Sequence, residues 1–194
     1  DDQGVIHLGI HGVQDKLYLA ETAHDTAGIT KAWRDLQLDV SGYHILPSPG
    51  EDGKTHVIYT SGADANVMQR ALHVYYRQYD EDTSSWSDPV DISIAPNMGS
   101  AKPSILIDKQ NNLHVVWEAG IDGDRGYVVE PVSIMYSNSI DQGSTWTKPI
   151  RIDTNVNGDT LHEGRNVAIG MNGAGELVVV WWSMPDNQVY FRTS

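Results

Sequence analysis

Three polar residues, His162, Glu163 and Arg165, surround the start of an apolar run, NVAIG, near the end of the printed sequence. A guanidinium binds a carboxylate through two parallel hydrogen bonds, so this cluster is a candidate for ligand contact. An exposed entry loop with a salt bridge explains the same residues, and we favour that interpretation. The sequence contains repeated units, and Lys102 stands at the equivalent point of the preceding unit, before SILID.

Several carboxylates are candidates for acid–base chemistry or cation binding. Glu118, directly after VVW, and Glu130, in GIDGDRGYVVEP, could form the acid–base pair of a glycosidase if they lie within about 5 to 9 Å of each other. Asp122 and Asp124, with nearby carbonyl oxygens, could ligate Ca2+, but D-G-D offers fewer ligands than a full calcium loop. We expect a solvated turn there and at the acidic stretch DEDTSS, and therefore no required cofactor.

Three tryptophans follow or end apolar runs. Trp117 and Trp181 are predicted to be buried between structural units. Trp182 follows Trp181 directly, and successive side chains of a strand point to opposite faces. Trp182 is therefore the candidate for stacking on a sugar ring, since indoles offer a broad amphipathic face.

The elements that position these residues are short strands. Runs of four to nine residues, rich in Val, Ile, Tyr and Trp, recur between Gly, Asp, Asn and Pro, and helical periodicity is hard to find. Examples are VIHLGI, THVIYT, LHVVWE and LVVVWW. The sequence therefore predicts an all-β fold.

The strands repeat in units along the chain. Alignment of four positions gives steps of 49, 58 and 64 residues, the aligned residues being His7, His56, His114 and Val178. Four antiparallel strands in a unit of about 50 residues are typical of β-propeller blades. We predict blades over approximately residues 1–40, 41–94, 95–153 and 154–194. Repeated packing then explains the histidines better than a metal site does.

The strand count predicts a partial propeller. The first unit begins at its second strand and the last ends after its third, which gives roughly 14 strands, or three and a half blades, whereas a closed propeller typically has four to eight blades. Such a half ring leaves unpaired backbone and apolar surface at its open flanks. We therefore expect further blades, or a second chain, to close the ring.

The segment SNSIDQGSTW, residues 137–146, predicts a tight hairpin. Ser139 and Asp141 can accept hydrogen bonds from amides of the loop, and Gly143 supplies a backbone conformation that other residues rarely adopt. Trp146 is expected to pack beneath the turn. The four residues together predict a structural role.

This pattern, S-x-D-x-G-x-x-W, resembles the Asp-box of sialidases and of other bacterial neuraminidase-repeat (BNR) propellers. Degraded versions precede Trp86, where Asp80 and Asp82 are present without a Gly, and Trp33. The resemblance implies a propeller whose Asp-boxes lie on its outer side, away from the central pocket. It implies no single activity, because such turns occur in glycosidases, lectin-like modules and receptors alike.

A sialidase activity would, by the same resemblance, require three arginines around the substrate carboxylate, a Tyr nucleophile assisted by Glu, and an Asp acid/base. Only Arg165 stands where an innermost strand begins, and the family's Arg-Ile-Pro type motif is absent. We therefore predict a module that binds a glycan or a protein surface. The alternatives are an exo-sialidase-like glycoside hydrolase completed by further blades, and a structural module that binds nothing small.

Charge and composition narrow the partners. Thirteen basic residues against 26 acidic ones give a net charge of -13, which disfavours nucleic acids and anionic membranes. No run approaches the ~20 apolar residues of a membrane span, and DDQGVIHLGI has no basic segment ahead of an apolar one, so no signal peptide is predicted. The absence of cysteine excludes disulfides and thiolate sites. We expect an extracellular or cell-envelope protein.

Overall fold

The computed structural model describes residues 4–62, 72–93, 98–122, 128–154 and 164–194. Strands dominate these ranges, and three short 3-10 turns occur at Val13–Asp15, His24–Thr26 and Thr30–Ala32. The strands are β1 (Val5–His11), β2 (Lys16–Ala23), β3 (Arg34–Asp35), β4 (Val40–Ser41), β5 (Ile45–Pro49), β6 (Lys54–Gly62), β7 (Leu72–Asp80), β8 (Ser85–Trp86), β9 (Val90–Asp91), β10 (Gly99–Ile107), β11 (Leu113–Asp122), β12 (Val128–Ser139), β13 (Ile150–Arg151), β14 (Gly164–Met171), β15 (Leu177–Ser183) and β16 (Gln188–Thr193). The all-β prediction is confirmed. None of the described helices has the length and apolar character needed to cross a bilayer.

The strands form antiparallel sheets that follow one another along the chain, numbered I to IV here. Sheet I contains β1 to β4, sheet II contains β5 to β9, sheet III contains β10 to β13, and sheet IV contains β14 to β16. Within each sheet, the long strands pair with their neighbours in sequence. In sheets I and II, two short strands share the outermost position, because β3 and β4 both pair with β2, and β8 and β9 both pair with β7.

The hydrophobic core lies between the sheets. Sheets II and III meet through Ile58, Tyr76 and Ile92 on one side and Val115 and Trp117 on the other. A second cluster joins sheet I to sheet II, and a third joins sheet III to sheet IV. Their buried members are Leu17, Leu19, Leu36, Leu38, Val57, Tyr59 and Tyr79 in the second, and Val116, Ile134, Ile152, Val167, Val179 and Trp181 in the third. Each sheet therefore depends on its neighbours to bury its apolar side chains.

Sheets I and IV also present apolar side chains to solvent. Leu8 and Ile10 alternate along β1 and are 44% and 41% exposed, while Val189 and Phe191 alternate along β16 and are each 72% exposed. Alternation places the members of each pair on one face of their strand. Apolar patches of this kind commonly mark surfaces that pack against another element or chain.

The turn after β12 closes on itself through hydrogen bonds. The Ser139 hydroxyl accepts the Gly143 amide and donates to Asp141 Oδ1, both at 2.8 Å. The Asp141 carboxylate also accepts the hydroxyl and the amide of Thr145, and these bonds are the main cause of a lowered pKa for Asp141. The Trp146 indole donates to the Gly143 carbonyl at 3.2 Å. The polar groups of the turn thus satisfy one another.

The corresponding tryptophans of sheets I and II have simpler surroundings. Trp33 donates to the Ala27 carbonyl at 3.1 Å, and Trp86 donates to the Leu36 carbonyl at 2.7 Å. Before Trp86, the Asp80 carboxylate accepts the amide and the hydroxyl of Thr83. An indole anchored to a backbone carbonyl is therefore common to these three places, although the turn sequences differ.

Gly143→Ala should destabilise the protein more than Gly175→Ala does. Both glycines have positive φ, +89° and +86°, where a Cβ costs roughly 1–2 kcal/mol. An added methyl at Gly143 would overlap the ring of Tyr76 in sheet II, whereas at Gly175 it would meet no atom of the described residues within 4 Å. Since overpacking adds about 1–3 kcal/mol, urea denaturation should show a loss of roughly 2–5 kcal/mol for Gly143→Ala and only the backbone cost for Gly175→Ala. Equal losses would contradict the packing of this turn on sheet II.

Candidate functional site

The first strands of sheets III and IV, β10 and β14, carry a β-bulge at the same place. The register between β10 and β11 shifts within residues 101–104, and the register between β14 and β15 shifts within residues 165–168. Lys102 and Asn166, inside these bulges, have positive φ values of 45° and 52°. Bulges bend a strand and re-aim its side chains. Here they bring polar residues of sheets III and IV together at one end of the core.

The bulges also decide which residues are equivalent. Counted from the regular part of each ladder, Lys102 corresponds to Asn166. Arg165 lies one residue earlier and pairs directly with Trp182. The equivalence of Lys102 with Arg165 that the sequence suggests is therefore wrong by one residue, because an alignment of repeats does not reveal how the bulges divide each strand.

A buried carboxylate gathers these polar residues. Glu118, in β11, is completely buried, and its Oε1 accepts a hydrogen bond from the backbone N–H of Asn166 at 2.6 Å. Lys102 Nζ lies 3.4 Å from the same oxygen, and Arg165 Nη1 lies 3.5 Å from Glu118 Oε2. Lys102 Nζ also donates to Asn166 Oδ1 at 2.7 Å. Lys102, Glu118, Arg165 and Asn166 are called the glutamate cluster below.

Within the cluster, the two cations are partly buried and the carboxylate is completely buried. The Lys102 and Arg165 side chains are 30% and 15% exposed, against 1% for Glu118. Arg165 Nη1 donates to the Val128 carbonyl at 2.6 Å. Glu118 Oε2 and Arg165 Nε have no hydrogen-bond partner among the described residues. Because a buried carboxylate is costly unless cations and donors compensate it, Glu118 positions the two cations.

A histidine extends the site to sheet II. His44 precedes β5, and its Nδ1 lies 3.0 Å from the Thr60 hydroxyl. Burial lowers the pKa of His44 to about 4, and the positive charges of Lys102 and His11 act in the same direction. The ring is therefore neutral at pH 7. Sequence reasoning missed His44, although it stands 58 residues before Lys102, which is the step between the second and third units.

The structure brings together part of the predicted set. Lys102 and Arg165 meet at Glu118, which the sequence had proposed only as half of an acid–base pair. Trp182 is half-buried beside Arg165 in the ladder and donates to Asn187 Oδ1 at 3.0 Å. The remaining candidates lie outside the described residues, either entirely (His162, Glu163 and Asp124) or in their side chains (Asp122 and Glu130).

No protein-family model and no curated protein matches the sequence. Solved structures are similar in fold. A Hadza microbial sialidase has a TM-score of 0.55 at 15% identity, covering 78% of this chain and 34% of the sialidase. A Penicillium chrysogenum alpha-L-arabinanase complexed with arabinobiose has a TM-score of 0.62 at 11% identity, covering 97% of this chain and 55% of the arabinanase. A thermostable family-43 glycoside hydrolase has a TM-score of 0.51 at 14% identity, covering 96% of this chain and 70% of that enzyme.

These similarities concern the fold alone. The chain shares an all-β arrangement of antiparallel sheets with propeller glycoside hydrolases. It spans about a third of the sialidase and about half of the arabinanase. Activity does not follow from a shared fold and has to be argued from the residues of the site.

Glu118→Gln should lower the free energy of unfolding by about 3–5 kcal/mol, because it leaves two partly buried cations without their countercharge. Glu176→Gln is the matched control, since Glu176 is exposed in the turn between β14 and β15, and surface changes usually stay within about 0.5 kcal/mol. Urea denaturation of both variants measures the difference. A Glu118→Gln protein as stable as the parent would show that the cluster is not held by charge.

The ring of His44 should titrate near pH 4 in an NMR experiment. Because this folded-state pKa lies below that of an unfolded histidine, about 6.5, the contribution of His44 to stability is complete above pH 6.5 and is lost as the pH falls towards 4. Lys102→Met should raise the pKa of His44 by removing a nearby positive charge. A His44 pKa at its ordinary value, or one insensitive to Lys102→Met, would contradict this environment.

Proposed function

We propose that this protein is a glycan-binding propeller module and that the glutamate cluster, together with His44, forms its binding site. The observation that supports this most directly is the convergence of Lys102 and Arg165, from adjacent innermost strands, on the buried Glu118. Because Lys102 and Arg165 already contact Glu118, less side-chain ordering is needed when a ligand binds, which lowers the entropic cost of binding.

The charge of the cluster favours an acidic ligand. The chain as a whole has a net charge of -13, whereas here two cations share one carboxylate. A guanidinium and an ammonium side by side suit a carboxylate, the first through its fork of donors and the second as a point charge. A sugar acid supplies a carboxylate and hydroxyl groups together. A protein surface rich in carboxylates is the second ligand class that this chemistry fits.

Trp182 supports a carbohydrate as the ligand. It pairs with Arg165 across the ladder and keeps part of its indole accessible. Aromatic faces next to polar groups suit sugars, because a sugar ring has an apolar face and a hydroxyl rim. Trp182→Ala should therefore weaken glycan binding, whereas binding of a simple carboxylate would depend on the cations.

A glycoside hydrolase is the second proposed function, and the fold shared with a sialidase and an arabinanase favours it. Hydrolysis requires two carboxyl groups roughly 5–9.5 Å apart around the scissile bond. Glu118 provides one buried carboxylate, and blades beyond this sequence would provide the second group and the remaining arginines. A module of purely structural role is the third alternative.

We also propose that sheets I to IV are blades of a partial Asp-box propeller with about three and a half blades, located outside the cell or in its envelope. The apolar faces of β1 and β16, and the share of the sialidase and the arabinanase that the chain spans, support additional neighbours. Further blades or a second chain would cover those faces. Analytical ultracentrifugation of this chain would distinguish a monomer from a self-closing assembly.

Calorimetric titration with N-acetylneuraminic acid and with lactose tests the proposed ligand class. We expect binding of the acidic sugar, no measurable binding of the neutral one, and at least a tenfold loss for Lys102→Met and for Arg165→Lys, which corresponds to about 1.4 kcal/mol each. Arg165→Lys keeps the charge and removes the planar fork, so it tests carboxylate geometry.

Lys109→Met is the control for charge, because Lys109 is an exposed lysine in the turn between β10 and β11, at the opposite end of β10 from Lys102. It should leave binding unchanged within about twofold. Equal losses of affinity in Lys102→Met and Lys109→Met would refute the site.

Release of a fluorophore from a sialoside would establish the hydrolase. Absence of both binding and turnover would leave the structural module.

A further inference from the structure

Two histidines at the far end of the sheets share one arrangement. His56 Nδ1 lies 2.7 Å from the Tyr76 hydroxyl, and its Nε2 lies 3.5 Å from Asp52 Oδ1. His114 repeats this, with Nδ1 2.9 Å from the Tyr136 hydroxyl and Nε2 3.3 Å from an aspartate oxygen. Both rings have partners for both nitrogens, as expected of repeated packing.

His7 occupies the same place in sheet I and has different surroundings. Leu19 stands where the ladder of sheet II has a tyrosine, and His7 Nδ1 has no hydrogen-bond partner among the described residues. The His7 side chain is nevertheless only 3% exposed. Its Nε2 lies 3.4 Å from Glu21 Oε2, 3.7 Å from Glu81 Oε1 and 3.0 Å from the Thr55 hydroxyl.

We propose that His7, Glu21 and Glu81 form a binding site for a divalent transition-metal ion, with zinc as the best match. One ligand atom from each residue lies within 4.8 Å of the other two. Zinc bonds of 2.0–2.2 Å in tetrahedral geometry place ligand atoms about 3.3–3.6 Å apart, close to the 3.4 and 3.7 Å found from His7. One imidazole and two carboxylates leave a fourth position for water.

Glu21 is already oriented for this role. Arg34 Nε donates to Glu21 Oε1 at 2.8 Å, while Oε2 lies 3.4 Å from His7 Nε2 and has no hydrogen-bond partner within the part of the chain that the structure describes. The Glu21 side chain is only 10% exposed, so its unpartnered oxygen is a buried acceptor that a cation would satisfy. In the ladders of sheets II and III the residues opposite the histidine are neutral, Gln78 and Asn138. Among these three sheets, only sheet I therefore has a carboxylate opposite the histidine.

The Glu81 side of the site is open to solvent. Thr55 and Glu81 line a cleft of about 590 Å³. Among the described residues, Glu51, Asp82 and Asp108 also line this cleft, together with Lys54. The carboxylates outnumber the ammonium group, so the potential of the cleft is negative and raises the local concentration of cations. Because two of the ligands belong to sheet I and Glu81 follows the third strand of sheet II, a bound ion would join the two sheets.

The experiment titrates the EDTA-treated chain with ZnCl2, MnCl2, MgCl2 and CaCl2 separately, by calorimetry and by thermal melting. We expect one zinc ion per chain with a micromolar or tighter Kd, and a rise in Tm, since an ion that binds only the folded state stabilises it. Calcium and magnesium should bind at least about 100-fold more weakly, because they prefer sites made of oxygen ligands alone. In the same protein, zinc should shift the NMR signal of His7 Nε2.

Two matched variants separate coordination from general charge. Glu81→Gln replaces a carboxylate ligand on a side chain that is 37% exposed. It should weaken zinc binding at least tenfold, since even the loss of an outer-shell partner of a metal ligand typically costs about 10- to 100-fold. Glu51→Gln removes an equal charge from the cleft and should leave the Kd unchanged within about twofold. Absence of zinc binding, equal effects of the two variants, or an unmoved His7 signal would overturn the proposal. Circular dichroism confirms that each variant is folded.

Discussion

Packing of each sheet against the next is the constraint on which the rest of the structure depends. Successive residues of β6 serve different interfaces, since Val57 and Tyr59 pack towards sheet I while Ile58 packs towards sheet III. β11 is used in the same way, with Val116 joining the core towards sheet IV. A strand buried on both faces has a continuous apolar sequence. Its side chains still point alternately to the two faces of the sheet, but this shows only in which neighbouring sheet each one contacts.

Polar residues at the strand ends meet across these interfaces. Glu118 is buried between sheets III and IV. At the other end of the sheets, Glu21 is buried beside His7, and His7 also contacts Glu81 and Thr55 of sheet II. Each carboxylate is compensated by an arginine from a different strand, Arg165 and Arg34 respectively. Since a buried carboxylate without such compensation would be strongly destabilising, these ion pairs constrain the positions of the side chains around them.

Sequence reasoning identified the strands, the buried Trp117 and Trp181, and the residues of the turn at Gly143, because these depend on local pattern and residue type. It could not locate the bulges, since Lys102 and Asn166 adopt positive φ without a glycine to signal it. The pairing of Glu118 with Arg165 also depends on how two sheets are placed relative to each other. Two other features could have been found from the repeat. His44 is the counterpart of Lys102 in the preceding unit, and Leu19 stands where sheet II has a tyrosine.

The apolar faces of the outermost sheets have a consequence for the behaviour of the chain in solution. Val189 and Phe191 favour association, while a net charge of -13 opposes it through mutual repulsion of the molecules. Electrostatic repulsion is screened beyond about 8 Å at physiological ionic strength and over still shorter distances in concentrated salt, whereas apolar contact is not weakened by salt. Raising the ionic strength should therefore promote aggregation of these molecules, the reverse of what is seen for complexes held by ion pairs.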